Sequence, residues 1–177
     1  VHKTDEYIVA TLEAGADGIF FATTDWGSRS WMSPDEYREW ARPHDLRVLG
    51  AAEGAPFNVL HVCKSRNLLL DLADYPVRAF SYDAIDPTNP SLSEAWARLL
   101  GAVMGGISQE GALQQPTPAP VLAEVTRGFE QTGGRRWLGA PGCSIPPTTP
   151  ATNLGAVRAA VVQRALLPSE MPELSGI

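Results

Sequence analysis

The chain has 177 residues, of which 44% are hydrophobic and 19% charged, as is typical of a folded globular protein. That length is enough for one ordinary domain with a sizeable core. The formal net charge of −6 argues against a general binder of nucleic acid or of membrane surfaces. No apolar run approaches the roughly 20 residues that a membrane helix needs, and the N-terminus lacks the pattern of a signal peptide. We therefore expect a cytoplasmic protein.

Helical and extended patterns alternate along the chain, with no internal repeat and no low-complexity segment. Five extended apolar segments are separated by helical ones, and no two of them form a hairpin pattern. This order predicts an α/β fold of parallel strands joined by right-handed crossovers. The predicted strands are 17–22, 57–63, 77–82, 102–107 and 136–139, and the predicted helices are 4–14, 33–43, 66–73, 92–100, 117–131 and 150–166.

Two of the predicted helices begin at clear capping sequences. Ser33 precedes Glu36 by three residues, as Ser91 precedes Glu94, so each serine is expected to cap the first turn of its helix. The segment 17–22 is continuously apolar, which predicts a strand that is covered on both faces. The chain has no Gly-x-Gly-x-x-Gly and no phosphate-binding Gly-Lys-Ser/Thr sequence, so a nucleotide-binding fold has no local support.

The strand at 57–63 ends in two side chains that bind metals well. His61 and Cys63 are two residues apart, and side chains with that spacing on a strand point to the same face. The other cysteine of the chain, Cys143, follows the last predicted strand. Functional groups of parallel α/β folds gather at the C-terminal ends of the strands, so we expect these three side chains to lie together.

The three side chains match the donor set of a catalytic zinc site. Zinc takes thiolate and imidazole ligands in tetrahedral geometry, and a catalytic ion usually has three protein ligands and one open position. Two thiolates and one imidazole favour zinc over magnesium or calcium, which prefer oxygen. The alternative stays open that the His-x-Cys pair is accidental and that each cysteine is an ordinary core residue.

Two carboxylates follow other predicted strands. Asp25 comes after the strand at 17–22, and Asp83 comes after the strand at 77–82. Both are candidate catalytic residues, because they are expected at the same edge of the sheet as the cysteines. The alternative interpretation is that Asp25 anchors a loop and that Asp83 only forms a turn.

Four short stretches of the chain form a combination that is more specific than any of them alone. They are Ala14–Ile19 (AGADGI), Leu60–Cys63 (LHVC), Gly105–Ile107 (GGI) and Pro141–Pro150 (PGCSIPPTTP), the last followed by Asn153 and a helix. With these stretches, residues 4–165 resemble the C-terminal part of the uroporphyrinogen decarboxylase superfamily. That superfamily has a complete TIM (β/α)8 barrel, which typically needs about 250 residues. The resemblance therefore implies a partial barrel of about five parallel βα units in residues 1–166, followed by a loosely held tail at 167–177.

The superfamily contains two kinds of enzyme. Its decarboxylases act on a porphyrinogen without a metal and carry a Gly-His-Gly motif in the last loop, where this chain has Cys143. Its zinc methyltransferases bind zinc through His-x-Cys and a distant cysteine, and they move a methyl group between a corrinoid and a thiol. The resemblance thus implies zinc on His61, Cys63 and Cys143. It also implies Asp83 as a fourth ligand, since the similar cobalamin-independent methionine synthases have an acidic residue there.

Three functions remain open for the chain. The first is a zinc-dependent methyltransferase with a small thiol substrate and a corrinoid, carried by a partner protein, as methyl donor. The second is a carboxy-lyase of porphyrin biosynthesis. The third is a non-catalytic half-barrel that pairs with an N-terminal half-barrel or with a second copy, because a partial barrel exposes sheet edges and an apolar interior.

One position departs from the pattern of the family. Lys64 stands where glycine is usual, which predicts an altered turn after Cys63.

Overall fold

The computed structural model of the protein describes residues 2–165, so the end of the last predicted helix and the predicted tail at 167–177 lie outside the described residues. A π-helical stretch joins the second helix to the third, and three short 3-10 helices lie in the loops. The strands are β1 (Phe20–Ala22), β2 (Val59–Val62), β3 (Ala79–Tyr82), β4 (Ala102–Ile107) and β5 (Trp137–Pro141). The helices are α1 (His2–Glu13), α2 (Pro34–Glu36), α3 (Arg42–Gly50), α4 (Leu92–Arg98), α5 (Ala119–Thr132) and α6 (Ala151–Ala165).

The five strands form one parallel sheet in the order β1-β2-β3-β4-β5. Each strand pairs with the strand that follows it in the chain, which is the winding of a (β/α) barrel. This order confirms the predicted α/β fold and the partial barrel of five βα units. The register places Ala22, His61, Ser81 and Met104 in one row across β1 to β4. Side chains in one row share a face of the sheet.

The two faces of the sheet are covered to different degrees. Leu60 and Phe80 point to the outer face, are at most 1% exposed, and belong to a core that includes apolar side chains of α4 and α5. The inner face carries the row of His61, and both of its edges are open. Phe20 on β1 is 56% exposed, and Leu138 on β5 is 39% exposed. The structure therefore has the partly open interior that a partial barrel predicts.

Two predicted elements differ from what the structure shows. Phe20 and Ala22 of β1 are exposed on the inner face, so the prediction that both faces of residues 17–22 are covered was wrong. An apolar pattern shows that a segment tends to be buried, but it does not show whether another element lies beside it. The predicted helix at 66–73 is a single 3-10 turn, Leu69–Leu72.

The predicted helix starts are observed. Ser33 accepts a hydrogen bond from the amide of Glu36, and the Glu36 carboxylate accepts one from the amide of Ser33 at 2.8 Å. Ser91 accepts a hydrogen bond from the amide of Glu94 at 3.2 Å, so it caps α4. Among residues 2–165, no helix combines the length and the apolar character that crossing a bilayer requires.

Candidate metal centre

Three side chains from two parts of the chain meet at the C-terminal end of the sheet. His61 lies on β2, Cys63 follows that strand, and Cys143 follows β5. Their ligand atoms all lie within 4.8 Å of one another. Neighbouring strands are about 4.8 Å apart, so β2 and β5 would be separated by about 14 Å in a flat sheet. The curvature of the sheet and the loop after β5 close that distance.

The separation of the two sulfurs fits one zinc ion. Cys63 Sγ and Cys143 Sγ are 3.7 Å apart, and both cysteines are free thiols. Two sulfurs that each lie about 2.3 Å from a tetrahedral zinc ion are about 3.8 Å apart. With the imidazole, the residues supply three donors of the types that zinc prefers, and they leave a fourth position for a substrate or water.

His61 is held in a defined orientation inside the sheet. It is buried, its Nδ1 lies 3.1 Å from the hydroxyl of Ser81, and its ring stacks on Phe20 with 5.5 Å between the centroids. Ser81 is the register partner of His61 on β3. Because the hydroxyl occupies Nδ1, Nε2 is the nitrogen left for a metal. Burial lowers the pKa of the His61 imidazole, which favours the neutral form that binds metals.

The two thiols differ in their surroundings. Burial raises the pKa of the Cys63 thiol, and the hydrogen bond and the charge of Cys143 act in the same direction. Cys143 is exposed on its loop. A metal that binds this pair must therefore displace a proton from Cys63, since the thiolate is the metal ligand.

A cavity of about 570 Å³ opens in front of the three side chains. Its volume is in the range of cavities that bind small molecules. The wall is mostly apolar, which suits a substrate with an apolar part. Besides His61, Cys63 and Cys143, the lining residues are Phe20, Ala22, Thr24, Asp25, Lys64, Ser81, Met104, Ala140, Pro141 and Ser144.

Asp25 lies on the wall of this cavity, where it forms an ion pair with Lys64. The Asp25 Oδ1 to Lys64 Nζ distance is 3.0 Å, and both side chains are about half exposed. The hydrogen bond that Lys64 donates to Asp25 raises the pKa of the Lys64 ammonium group. The φ angle of Lys64 is +70°, a left-handed conformation that favours glycine. Lys64 therefore has a backbone conformation that glycine adopts readily, and its side chain adds a cation to the lining of the cavity.

Asp83 does not lie beside the three candidate metal ligands, as a fourth ligand would. It is not among the residues that bring a ligand atom within 4.8 Å of the others, and it does not line the cavity. Its Oδ1 accepts hydrogen bonds from the amides of Ile85 at 2.9 Å and Asp86 at 3.2 Å. Its Oδ2 accepts a hydrogen bond from Gln109 Nε2 at 2.9 Å. Asp83 thus forms a turn, which is the alternative that the sequence left open.

The structure also reveals two polar residues near the site that the sequence analysis did not single out. Ser81 contacts His61, and its position follows from the register of two strands, which the sequence does not state. Gln109 contacts Asp83 and the amide of Gly142. No motif or spacing marks Gln109, because its partners come from two other loops.

The comparisons with known proteins agree with the fold. The uroporphyrinogen decarboxylase (URO-D) family matches residues 3–164. The methylcobamide:CoM methyltransferase MtaA of Methanosarcina barkeri is 32% identical over 158 residues, which cover 87% of this chain and 44% of the relative. The structure of a methyltransferase from Methanosarcina mazei matches with a TM-score of 0.78 and 27% identity, covering 92% of this chain and 46% of that one.

A more distant structure shares the fold. The B12-independent methionine synthase from Shewanella sp. W3-18-1 matches with a TM-score of 0.61 and 17% identity, covering 92% of this chain and 53% of that one.

The chain spans 44% of the length of its curated Methanosarcina barkeri relative. The relatives confirm the predicted resemblance and its methyltransferase branch. Since the family match extends over nearly the whole chain, the chain belongs to the uroporphyrinogen decarboxylase family.

Proposed function

We propose that the protein takes part in zinc-dependent transfer of a methyl group from a corrinoid to a small thiol. The observation that carries this proposal is the meeting of His61, Cys63 and Cys143, whose ligand atoms lie within 4.8 Å of one another. The similarity to a methylcobamide:CoM methyltransferase supports the choice of reaction. Zinc ligation by the three residues is part of this proposal.

The chain's own residues have separate parts in the proposed reaction. His61 Nε2, Cys63 Sγ and Cys143 Sγ would hold the ion, and Ser81 would keep the imidazole in its orientation. Bound zinc would lower the pKa of the substrate thiol and leave its sulfur nucleophilic. The mostly apolar wall of the cavity would help to exclude water from the substrate sulfur once the open face is covered.

Asp25 is the carboxylate among the described residues that line this cavity, so we propose that it receives the proton of the substrate thiol. Lys64 holds Asp25 at the wall through their ion pair. Asp83, which lies outside the cavity lining, acts on the site through Gln109 instead. Asp25 and Asp83 thus have different roles, although both follow strands of the same sheet.

The open inner face of the sheet has to be covered for this reaction. The chain spans 44% of the length of its curated relative, and exposed apolar residues such as Phe20 and Leu138 lie on that face. We propose that residues 1–166 act as the C-terminal part of a barrel that is closed by an N-terminal half-barrel or by a second copy. The methyl donor would be a corrinoid on a partner protein, and the site of action the cytoplasm.

Metal analysis of the purified chain tests the proposal directly. We expect about one zinc ion per chain, lost in Cys143→Ala and kept in Ser144→Ala, a matched control that also changes a side chain lining the cavity. With zinc bound, methylcobalamin and a small thiol should yield a thioether, and Cys143→Ala should abolish that product. A metal-free wild-type protein with an intact fold overturns the zinc site.

The alternatives predict other outcomes. Loss of carboxyl groups from uroporphyrinogen that survives Cys63→Ser and Cys143→Ser together would identify a decarboxylase, a reaction that the methyltransferase relatives do not support. A chain that forms stable complexes but transfers no methyl group would be a non-catalytic half-barrel. Sedimentation with and without zinc separates a stable monomer from an association of two copies.

A further inference from the structure

The side chain of Gln109 joins the loop that carries Cys143 to the loops after β3 and β4, and it shares the amide of Gly142 with the carbonyl of Ile107, which lies 3.3 Å from that amide. Gln109 follows β4, and its Oε1 accepts a hydrogen bond from the amide of Gly142 at 3.1 Å. Its Nε2 donates a hydrogen bond to Asp83 Oδ2 at 2.9 Å. The loops after β3, β4 and β5 are therefore joined next to Cys143.

The chemistry of the two partners requires an amide at this position. A carboxylate only accepts hydrogen bonds, and a backbone N–H only donates them. The side chain between Asp83 and Gly142 must therefore donate at one end and accept at the other. Gln109 does both, and glutamate at its position would place two carboxylates against each other.

The loop approaches Asp83 so closely that a side chain at position 142 would not fit. A Cβ atom added to Gly142 would lie 2.5 Å from Asp83 Cα. Contacts between a Cβ and a backbone atom at that distance do not occur without a shift of the backbone. The Cys143 loop is thus pressed against the end of β3 as well as hydrogen-bonded to it.

The other end of the loop is held by a second glutamine. Gln114 Nε2 donates hydrogen bonds to the carbonyl of Gln109 at 2.7 Å and to Thr149 Oγ1 at 2.8 Å. Thr149 in turn donates to the carbonyl of Pro146 at 2.7 Å. Both ends of residues 142–149 are therefore fixed to the loop after β4.

We propose that the relay Asp83–Gln109–Gly142 is a positioning device that sets the place of Cys143 Sγ relative to Cys63 Sγ. This inference rests on the proposed zinc site, for which the 3.7 Å separation of the sulfurs is suitable. The relay acts through the backbone of the Cys143 loop and touches neither sulfur. Asp83 then contributes as a positioning carboxylate and does not coordinate the metal.

An exchange of the two polar groups tests the relay. Gln109→Glu places its carboxylate against the carboxylate of Asp83, and both groups only accept hydrogen bonds. Asp83→Asn places an amide N–H against Gln109 Nε2, so one N–H is left without an acceptor. The double variant Asp83→Asn/Gln109→Glu restores both hydrogen bonds, since the new amide donates to the new carboxylate, which still accepts from Gly142. Because Asn at position 83 keeps an oxygen for the amides of Ile85 and Asp86, the turn is retained.

The readouts are zinc affinity by competition with a chelator, and the visible absorption of the Co²⁺-substituted protein, which reports the ligand geometry. We expect each single variant to weaken zinc binding about tenfold, in the range for residues that orient metal ligands. The double variant should recover the affinity and the spectrum of the wild type. Gln115→Ala is the matched control, because that side chain bonds only the carbonyl of Gly111.

The outcomes separate this inference from the proposed function. A wild-type chain without zinc affinity overturns the function on which the relay depends. Zinc binding by the wild type that both single variants retain in full overturns the relay. Zinc binding that the double variant fails to recover, with thermal unfolding like that of the wild type, also overturns it.

Discussion

His61 and Cys143 belong to the same candidate site, but they are held in place in different ways. His61 lies on β2, which is paired on both sides by β1 and β3, and it is only 7% exposed. Cys143 is exposed on a loop beyond β5, an edge strand, and depends on side chains such as Gln109 for its position. One candidate ligand is thus held by the backbone of the sheet and the other by a few hydrogen bonds of its loop.

This difference determines whether a substitution affects only the candidate metal site or also the stability of the fold. A change at His61 affects both the candidate metal site and the core, because the imidazole fills space and pairs with Ser81. A change at Cys143 affects the site alone, because nothing packs tightly over an exposed side chain.

The first prediction compares His61→Ala with Cys143→Ala. Both should weaken zinc binding by more than about 100-fold, because each removes a direct ligand. Only His61→Ala should also lower the free energy of unfolding of the metal-free protein, by about 2–3 kcal/mol, because it leaves a cavity and an unpaired hydroxyl on Ser81. Urea unfolding in the presence of a chelator measures the second effect. Equal destabilisation by the two variants would contradict the contrast.

The second prediction concerns Asn153, which anchors the helix that follows the Cys143 loop. It is fully buried, and its Nδ2 donates hydrogen bonds to the carbonyls of Leu113 at 3.0 Å and Gln115 at 2.8 Å. Asn153→Ala leaves both carbonyls unpaired and should cost about 2 kcal/mol of unfolding free energy. Thr152→Ala, at an exposed position of the same helix, should change it by less than about 0.5 kcal/mol. Thermal and urea unfolding measure both, and an unaffected Asn153→Ala protein would show that α6 is held by its apolar contacts alone.

The third prediction concerns Ser81, which contacts His61 without being a ligand. Ser81→Ala removes the hydrogen-bond partner of Nδ1, so the imidazole loses its fixed orientation. Zinc affinity should fall about tenfold, while Ser144→Ala should leave it unchanged. Chelator competition measures both affinities. If Ser81→Ala binds zinc like the wild type, the sheet backbone and the ring contact with Phe20 suffice to orient His61.

The fourth and smallest effect is the pH dependence of the metal-free protein. Burial lowers the pKa of His61, so its imidazole should titrate below the ordinary histidine value of about 6.5 in an NMR titration. A group with a lowered folded pKa stabilises the protein above its unfolded pKa, and that stabilisation is lost as the pH falls through the folded one.

His61→Gln should therefore remove part of the loss in unfolding free energy between pH 7 and 5. The difference between the urea unfolding curves of variant and wild type isolates this contribution, since all other titrating groups are common to both. Identical pH profiles would mean that His61 has the same pKa in the folded and unfolded chains.

The sequence predicted the parts of the fold that depend on local patterns. The alternation of helix and strand and the caps at Ser33 and Ser91 depend only on residues close in the chain. The predicted helix at 66–73 was wrong because a distant segment holds its first residues in another conformation. Arg66 has a φ angle of +52°, its carbonyl accepts a hydrogen bond from the amide of Arg29, and the amide of Leu68 donates to the carbonyl of Gly27.

The candidate site also combines features that local sequence predicts with contacts that depend on distant residues. His61, Cys63 and Cys143 could be grouped from the sequence, because their side-chain chemistry is distinctive and all three follow or end strands. Asp25 was placed correctly at the cavity, but its ion pair with Lys64 depends on how two loops meet. Metal ligation by His61, Cys63 and Cys143 stays a prediction, as do the catalytic roles that the sequence suggests for Asp25 and Asp83.

By itself, the sequence determined the order of the elements and the set of side chains that could bind a metal, because both follow from local pattern and residue type. Only the tertiary structure decided which polar groups support that set. Ser81 reaches His61 through the register of β2 and β3, and Gln109 reaches Gly142 because three loops converge at one end of a curved sheet. Such contacts join residues that are far apart in the chain, and their geometry exists only once the sheet has formed.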